Sequence, residues 1–143
     1  MQAANRPSST YWIVAILMLA WNAMGVMAYI TQATMTPEAL AALPAAERAA
    51  YAAIPGWVTA AYAFAVFGGF SGCLLLLVRS RWALLVLLLS LLGVLAQMGY
   101  VLLMSGAYAT YGARALVMPT LVIAGASLLL WFASRAARRG WLH

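Results

Sequence analysis

Charge is nearly missing from this chain, and acid most of all. Its 143 residues include two glutamates, Glu38 and Glu47, no aspartate and no lysine, so eight arginines leave a formal net charge of +6. Cysteine and histidine occur once each, as Cys73 and His143. A single cysteine excludes an intramolecular disulfide and leaves the redox compartment open. One cysteine and one terminal histidine cannot build a metal site, so no metal and no cofactor is expected. Within the apolar stretches there is no acid, base or Ser/His/Asp set, and catalysis generally needs a titratable group. An enzyme is therefore not expected.

What is abundant is apolar surface. Hydrophobic residues make up 67% of the chain and charged ones 7%, far outside the range of soluble domains. The expected fold class is all-α, an integral membrane four-helix bundle forming one domain over residues 1–143. The arginines sit at the ends of apolar runs rather than along one polar face, which argues against nucleic acid and for the lipid bilayer as the partner.

The organising stretch is Tyr11–Gln32, uncharged and long enough to span. About 20 helical residues at about 1.5 Å each cover a hydrocarbon core of roughly 30 Å. Its apolar run exceeds the usual signal-peptide core of about 7–15 residues, so it reads as a membrane helix. Ser8-Ser9-Thr10 offers a cap, and Tyr11 and Trp12 an interfacial anchor. Met18, Asn22, Gly25, Tyr29 and Gln32 share one face, and the Asn22 amide should turn that face inward.

Further spans are expected at about 57–78, 82–104 and 117–133. The second carries Ala61, Ala65, Gly68 and Gly72 on one face, a packing pattern that lets helices approach closely. The third aligns Ser90, Gly93, Gln97, Tyr100 and Met104, and the fourth Thr120, Ala124, Ser127 and Trp131. Gly25-Val26-Met27-Ala28 is echoed by Gly93-Val94-Leu95-Ala96, as two parallel hairpins would require. Between the first two spans, Thr36-Pro37-Glu38 is a helix start, Pro44 a break and Pro55-Gly56 a stop. A short helical cap is expected over about 36–54, burying Leu40, Leu43, Tyr51 and Ile54. Tyr108, Tyr111 and Arg114 of the other long loop would meet it, with Arg114 paired to Glu38 or Glu47. Six arginines flank the connections that include both termini, so both termini are expected in the cytoplasm and the cap in the periplasm.

The groups left to recognise a ligand are neutral and aromatic: Trp21, Asn22, Tyr29, Tyr62, Gln97, Tyr100 and Thr120. Amides and phenols beside aromatic faces suit a small neutral, sugar-like solute or a lipid. Alternatively, Asn22 and Gln97 bond to each other across a dry core, and the protein is an accessory subunit whose cap contacts a partner. The two readings differ in whether a polar-lined cavity opens beside these amides. Because only Asn22 carries a full amide at mid-depth, Asn22→Leu is expected to harm function or assembly more than Ser90→Leu. Four helices enclose little space, so transport would call for a homo-oligomer.

The stretches YWIVAILMLAWNAMGVMAYI, MTPEALAALPAAERAAY and FAVFGGFSGCLLLLVRSRWALLVLLLSLLGVLAQ resemble a family of small bacterial four-span membrane proteins of nearly this length. That family often carries the label of sugar transporter. The resemblance covers almost the whole chain and implies a bacterial inner-membrane protein that moves sugars. Trp21-Asn22 is also similar to the Trp and Asn pair that half-size SWEET transporters place around a sugar. The three spans and proline–glutamine motif of those proteins are missing here. The small multidrug-resistance transporters, which likewise have four helices, rely on a membrane-embedded carboxylate that this chain lacks.

Overall fold

In a computed structural model describing residues 6–143, the chain is all-helical. Four long helices, α1 (Ser9–Ala33), α4 (Gly56–Leu77), α5 (Trp82–Leu103) and α7 (Val117–Arg138), form the bundle. Each is long and apolar enough to cross a membrane. Three short helices lie in the connections: α2 (Pro37–Ala41), α3 (Ala45–Ala52) and α6 (Ala107–Tyr111), the last followed by a 3₁₀ turn at Gly112–Leu116. The start of α1 and the end of α7 lie on one side of the bundle, hereafter the terminal end; α2, α3 and α6 mark the far end.

The helix boundaries follow from capping chemistry. Ser8 Oγ accepts from the Tyr11 amide at 3.4 Å at the start of α1, and Thr36 Oγ1 accepts from the Ala39 amide at 3.2 Å at the start of α2. Pro44 and Pro55 precede α3 and α4 in extended conformations that stop the preceding helix. The fourth span runs five residues past its expected end. Ser134, Arg135 and Arg138 continue the helix beyond the apolar stretch, with arginine in the last turn where it complements the helix dipole.

Small residues set the packing of the central pair, α4 and α5. A Cβ added at Gly93 would stand 2.9 Å from the Ala61 carbonyl oxygen and the Ala65 amide nitrogen, so the backbones touch there. Gly68 lies against Ser90, whose hydroxyl donates to the Ala65 carbonyl at 2.6 Å, and a side chain at Gly72 would overlap Leu87. The small-residue face of the second span is thus a packing face. Helix α1 lies on α4, with Gly25 against Val66 and Gly69 against Asn22. Helix α7 lies on α5. Because Gly25 and Gly93 both face α4, the sequence echo between them is not repeated in the packing.

The buried core is concentrated at the terminal end, where Tyr11, Cys73, Leu76, Leu87, Leu129, Ala133, Trp141 and Leu142 form one cluster. Tyr11 is fully buried rather than interfacial. Its ring stacks on Phe132 at 5.5 Å and meets Trp141 edge-on at 5.6 Å, while its hydroxyl donates to the Leu76 carbonyl. Trp141 is buried too, because Gly140 (φ 70°) turns the tail back over the bundle. The tail then pairs with the α4–α5 turn. Arg79 Nε donates to the Trp141 carbonyl at 2.7 Å, the His143 amide to the Arg79 carbonyl at 2.7 Å, and the Arg81 amide to the His143 carbonyl at 3.1 Å.

Candidate functional site

Towards the far end the same four helices separate. Between them lies a cavity of about 490 Å³. Its floor is supplied by α4 and α5, through buried Ala65, Val66, Gly69, Leu87, Ser90 and Val94. Its exposed lining residues belong to α1 and α7: Trp21, Met24 and Ala28 on one side, Met118 and Leu121 on the other. The cavity therefore opens sideways between α1 and α7, which touch below it through Tyr11 and Phe132. The Trp21 indole nitrogen reaches across to 4.0 Å from where a side chain at Gly125 would begin, so Trp21 forms the lower edge of the opening.

Asn22 sits on the inner wall at the height of Gly69. Its amide donates to the Met18 carbonyl at 2.8 Å and to Cys73 Sγ at 3.6 Å. Any side chain at position 69 would overlap Asn22 Oδ1, and the glycine is what makes room for the carboxamide. Gln97 lines the opposite part of the cavity, and its carboxamide makes no hydrogen bond among the described residues. The two amides are not bonded to each other. The remaining lining is apolar and includes four methionines, Met18, Met24, Met98 and Met118, whose flexible thioethers adapt to irregular shapes.

A second cavity of about 390 Å³ adjoins the first at the far end. Tyr62 and Gln97 line both. The outer space is walled by Gln32 of α1, by Glu47, Tyr51 and Ile54 of the cap, by Thr59, Tyr100 and Ser105, and by Tyr111 of α6. Tyr100 donates its hydroxyl to the Ala53 carbonyl at 3.2 Å, tying α5 to the end of α3, and its ring meets Trp57 edge-on at 5.9 Å. Leu40, Leu43, Tyr51 and Ile54 are all half-buried, so the cap packs as expected.

Five of the seven expected site residues come together: Trp21, Asn22, Tyr62, Gln97 and Tyr100 line one or both cavities. Tyr29 and Thr120 do not. Tyr29 stands behind the wall, edge-on to Tyr62 at 5.3 Å and to Phe67 at 5.6 Å, and so positions Tyr62. Thr120 is exposed, as are Ala124, Ser127 and Trp131 on the same face. The inward face of α7 is the apolar one, with Val122, Ala126 and Leu129. A hydroxyl is a poor inward marker because it can bond to its own helix, as Thr31 does to the Met27 carbonyl at 2.9 Å. Arg114 is exposed and pairs with neither Glu38 nor Glu47 among the described residues. Of its loop, Tyr111 lines the outer cavity, whereas Tyr108 is 58% exposed.

Sequence reasoning placed Met18 on the inward face but missed Met24, Met98 and Met118 of the inner cavity and the place of Glu47 beside the tyrosines. The first had a signal in the chain's eight methionines; the second depends on how α3 lies over the bundle. Among the described residues no group of His, Cys, Asp or Glu could hold a metal ion. Comparison with known protein families, curated proteins and solved structures finds no match to this chain.

Proposed function

We propose that this protein binds a lipid-like amphiphile drawn from the bilayer, its tail in the inner cavity and its head in the outer one. The observation that carries this reading is the junction at Tyr62 and Gln97, where an apolar cavity open to the side meets a more polar one at the far end. An acyl or isoprenoid chain gains little by moving from lipid into an apolar cavity, so affinity would come from close packing and from the head. Asn22 and Gln97 would hydrogen-bond groups near the head–tail junction, in surroundings where an amide gains most from a partner.

A purely structural role for the two amides would join them in a dry core, and they are apart beside open space. A free sugar fits this lining less well. Hydroxyls all round a ring need many partners, and only the outer cavity offers that density. On this reading the chain is a multi-pass inner-membrane protein with its arginine-rich terminal end in the cytoplasm. Binding needs no second copy, because one chain encloses the cavity. Transport would additionally require the terminal-end seal around Tyr11 to open.

The test is native mass spectrometry of the protein released from lipid nanodiscs, before and after Ala126→Phe, which projects a ring into the inner cavity. A lipid adduct on the unaltered chain that the variant loses supports the reading. A bare chain in both cases, with the variant folded, overturns it.

A further inference from the structure

The outer cavity has a chemical bias that its volume alone does not convey. Four tyrosines line it, Tyr51, Tyr62, Tyr100 and Tyr111, contributed by α3, α4, α5 and α6. The single ionisable group of opposite character to an ammonium is Glu47, and among the described residues no arginine lines the space. The nearest arginine in sequence, Arg48, turns its guanidinium to the Leu43 carbonyl at 3.2 Å. Two of the rings are held from behind: Tyr62 by Tyr29 at 5.3 Å, and Tyr100 by Trp57 at 5.9 Å and by its hydroxyl bond to Ala53.

These features exclude one class of head and favour another. A phosphate or sulfate head needs arginine, lysine or a cluster of backbone donors, and would here meet a carboxylate. A cation finds the reverse. Tyrosine faces attract it through their quadrupoles, and the attraction rises when the site is partly closed from water. One carboxylate at the edge supplies the counter-charge. From this we infer that the outer cavity selects a cationic head, an amine or quaternary ammonium, so that the ligand is a single-tailed or bulky lipophilic cation. The inference rests on the amphiphile-binding reading above and narrows it to one charge class.

Three probes with the same dodecyl tail separate the possibilities: dodecyltrimethylammonium, dodecyl glucoside and dodecyl sulfate. Each is titrated calorimetrically into the protein in nanodiscs of zwitterionic lipid, with protein-free nanodiscs subtracting partition into lipid. The ammonium should bind about tenfold tighter than the glucoside, and the sulfate weakest, as one cation–π and one ion-pair contribution at a partly exposed site predict. Glu47→Gln should remove most of that preference and leave the glucoside unchanged. Tyr51→Leu should weaken the ammonium severalfold, and Tyr51→Phe, which keeps the ring face, should restore it. Glu47 is exposed and Tyr51 half-buried at the cavity wall; a thermal melt verifies that each variant keeps the fold, and Tyr51→Phe separates loss of the ring face from loss of packing.

Equal affinity for ammonium and glucoside, or an ammonium preference untouched by Glu47→Gln, overturns the inference while the amphiphile reading stands. Binding of all three probes that survives Ala126→Phe overturns the amphiphile reading instead. Binding of none above the protein-free control overturns both.

Discussion

The two ends of the bundle are built from helices of the same length and composition and finish in opposite states. At the terminal end, large side chains from α1, α4, α7 and the tail converge on Tyr11, and every approach is filled. Towards the far end alanine, glycine, methionine and aliphatic side chains of the same helices border a space of about 490 Å³ that is left unfilled. Apolar character is common to both ends, so it cannot be what separates them. In lipid, burial of apolar surface drives helix association only weakly, and close packing with buried hydrogen bonds does most of it. The sealed end has both: stacked rings, a phenol bonded across helices, and a tail hydrogen-bonded to the α4–α5 turn. Around and beyond the cavity the contacts are edge-on ring pairs, a bond from Asn22 to a thiol, and a bond from the Tyr100 phenol to the cap.

That comparison can be broken most forcefully at Tyr11. Tyr11→Ala removes a fully buried ring from the centre of the seal and should cost about 3–5 kcal/mol, read as a lowered melting temperature in detergent. Cys73, buried in the same cluster, should then react with a maleimide that leaves the unaltered protein unlabelled. Tyr11→Phe keeps the packing and should cost about 1 kcal/mol. If Tyr11→Ala melts like the parent, the two ends are not energetically distinct.

Next in size is Ser90→Leu, which revises the ranking expected from sequence. Ser90 is buried between Gly68 and the Ala65 carbonyl, so a leucine there must force α4 and α5 apart, at about 1–3 kcal/mol or more. Asn22→Leu should cost about 1 kcal/mol, because Asn22 bonds within its own helix and to a thiol and borders open space. The same melts test the order. An Asn22→Leu variant less stable than Ser90→Leu would show the far half to be as tightly packed as the α4–α5 contact.

Filling the cavity sharpens the contrast from the other side. Ala126→Phe should leave stability within about 1 kcal/mol of the parent, since the ring enters existing space, while the lipid adduct disappears. The smallest effect is expected at Arg79, which holds a left-handed conformation (φ 60°) and donates to the tail. Arg79→Gly relieves a backbone cost of about 1 kcal/mol and loses a hydrogen bond of about the same size. Its melting temperature should therefore stay near that of the parent. Arg79→Ala, which loses the bond and keeps the strained backbone, should fall below both.

The expected positions of the spans and the cap match the helices to within one or two residues, except at the C-terminal end of α7. The chemistry is local: runs of apolar residues too long for anything but a span, a Thr36-Pro37-Glu38 start, prolines at 44 and 55. Inward-facing seams were legible where an amide or a glycine marked them, as in α1 and α5. In α7 the hydroxyls of Thr120 and Ser127 pointed to the wrong face, because a hydroxyl on a helix does not require a partner on another helix. Tyr11 looked interfacial because aromatic residues at span ends usually are, and nothing local revealed that it would meet Phe132 and Trp141.

Length, hydropathy and the placement of arginine determine by themselves that this is a four-span membrane protein with a capped connection, because each depends only on neighbours along the chain. Which end closes, where the cavity opens and which tyrosines gather around Glu47 were decided by the tertiary structure alone. Those outcomes depend on how side-chain volumes from four helices and the folded-back tail add up at each level of the bundle. Volume at a level is a sum over residues far apart in sequence, and no single stretch of the chain contains it.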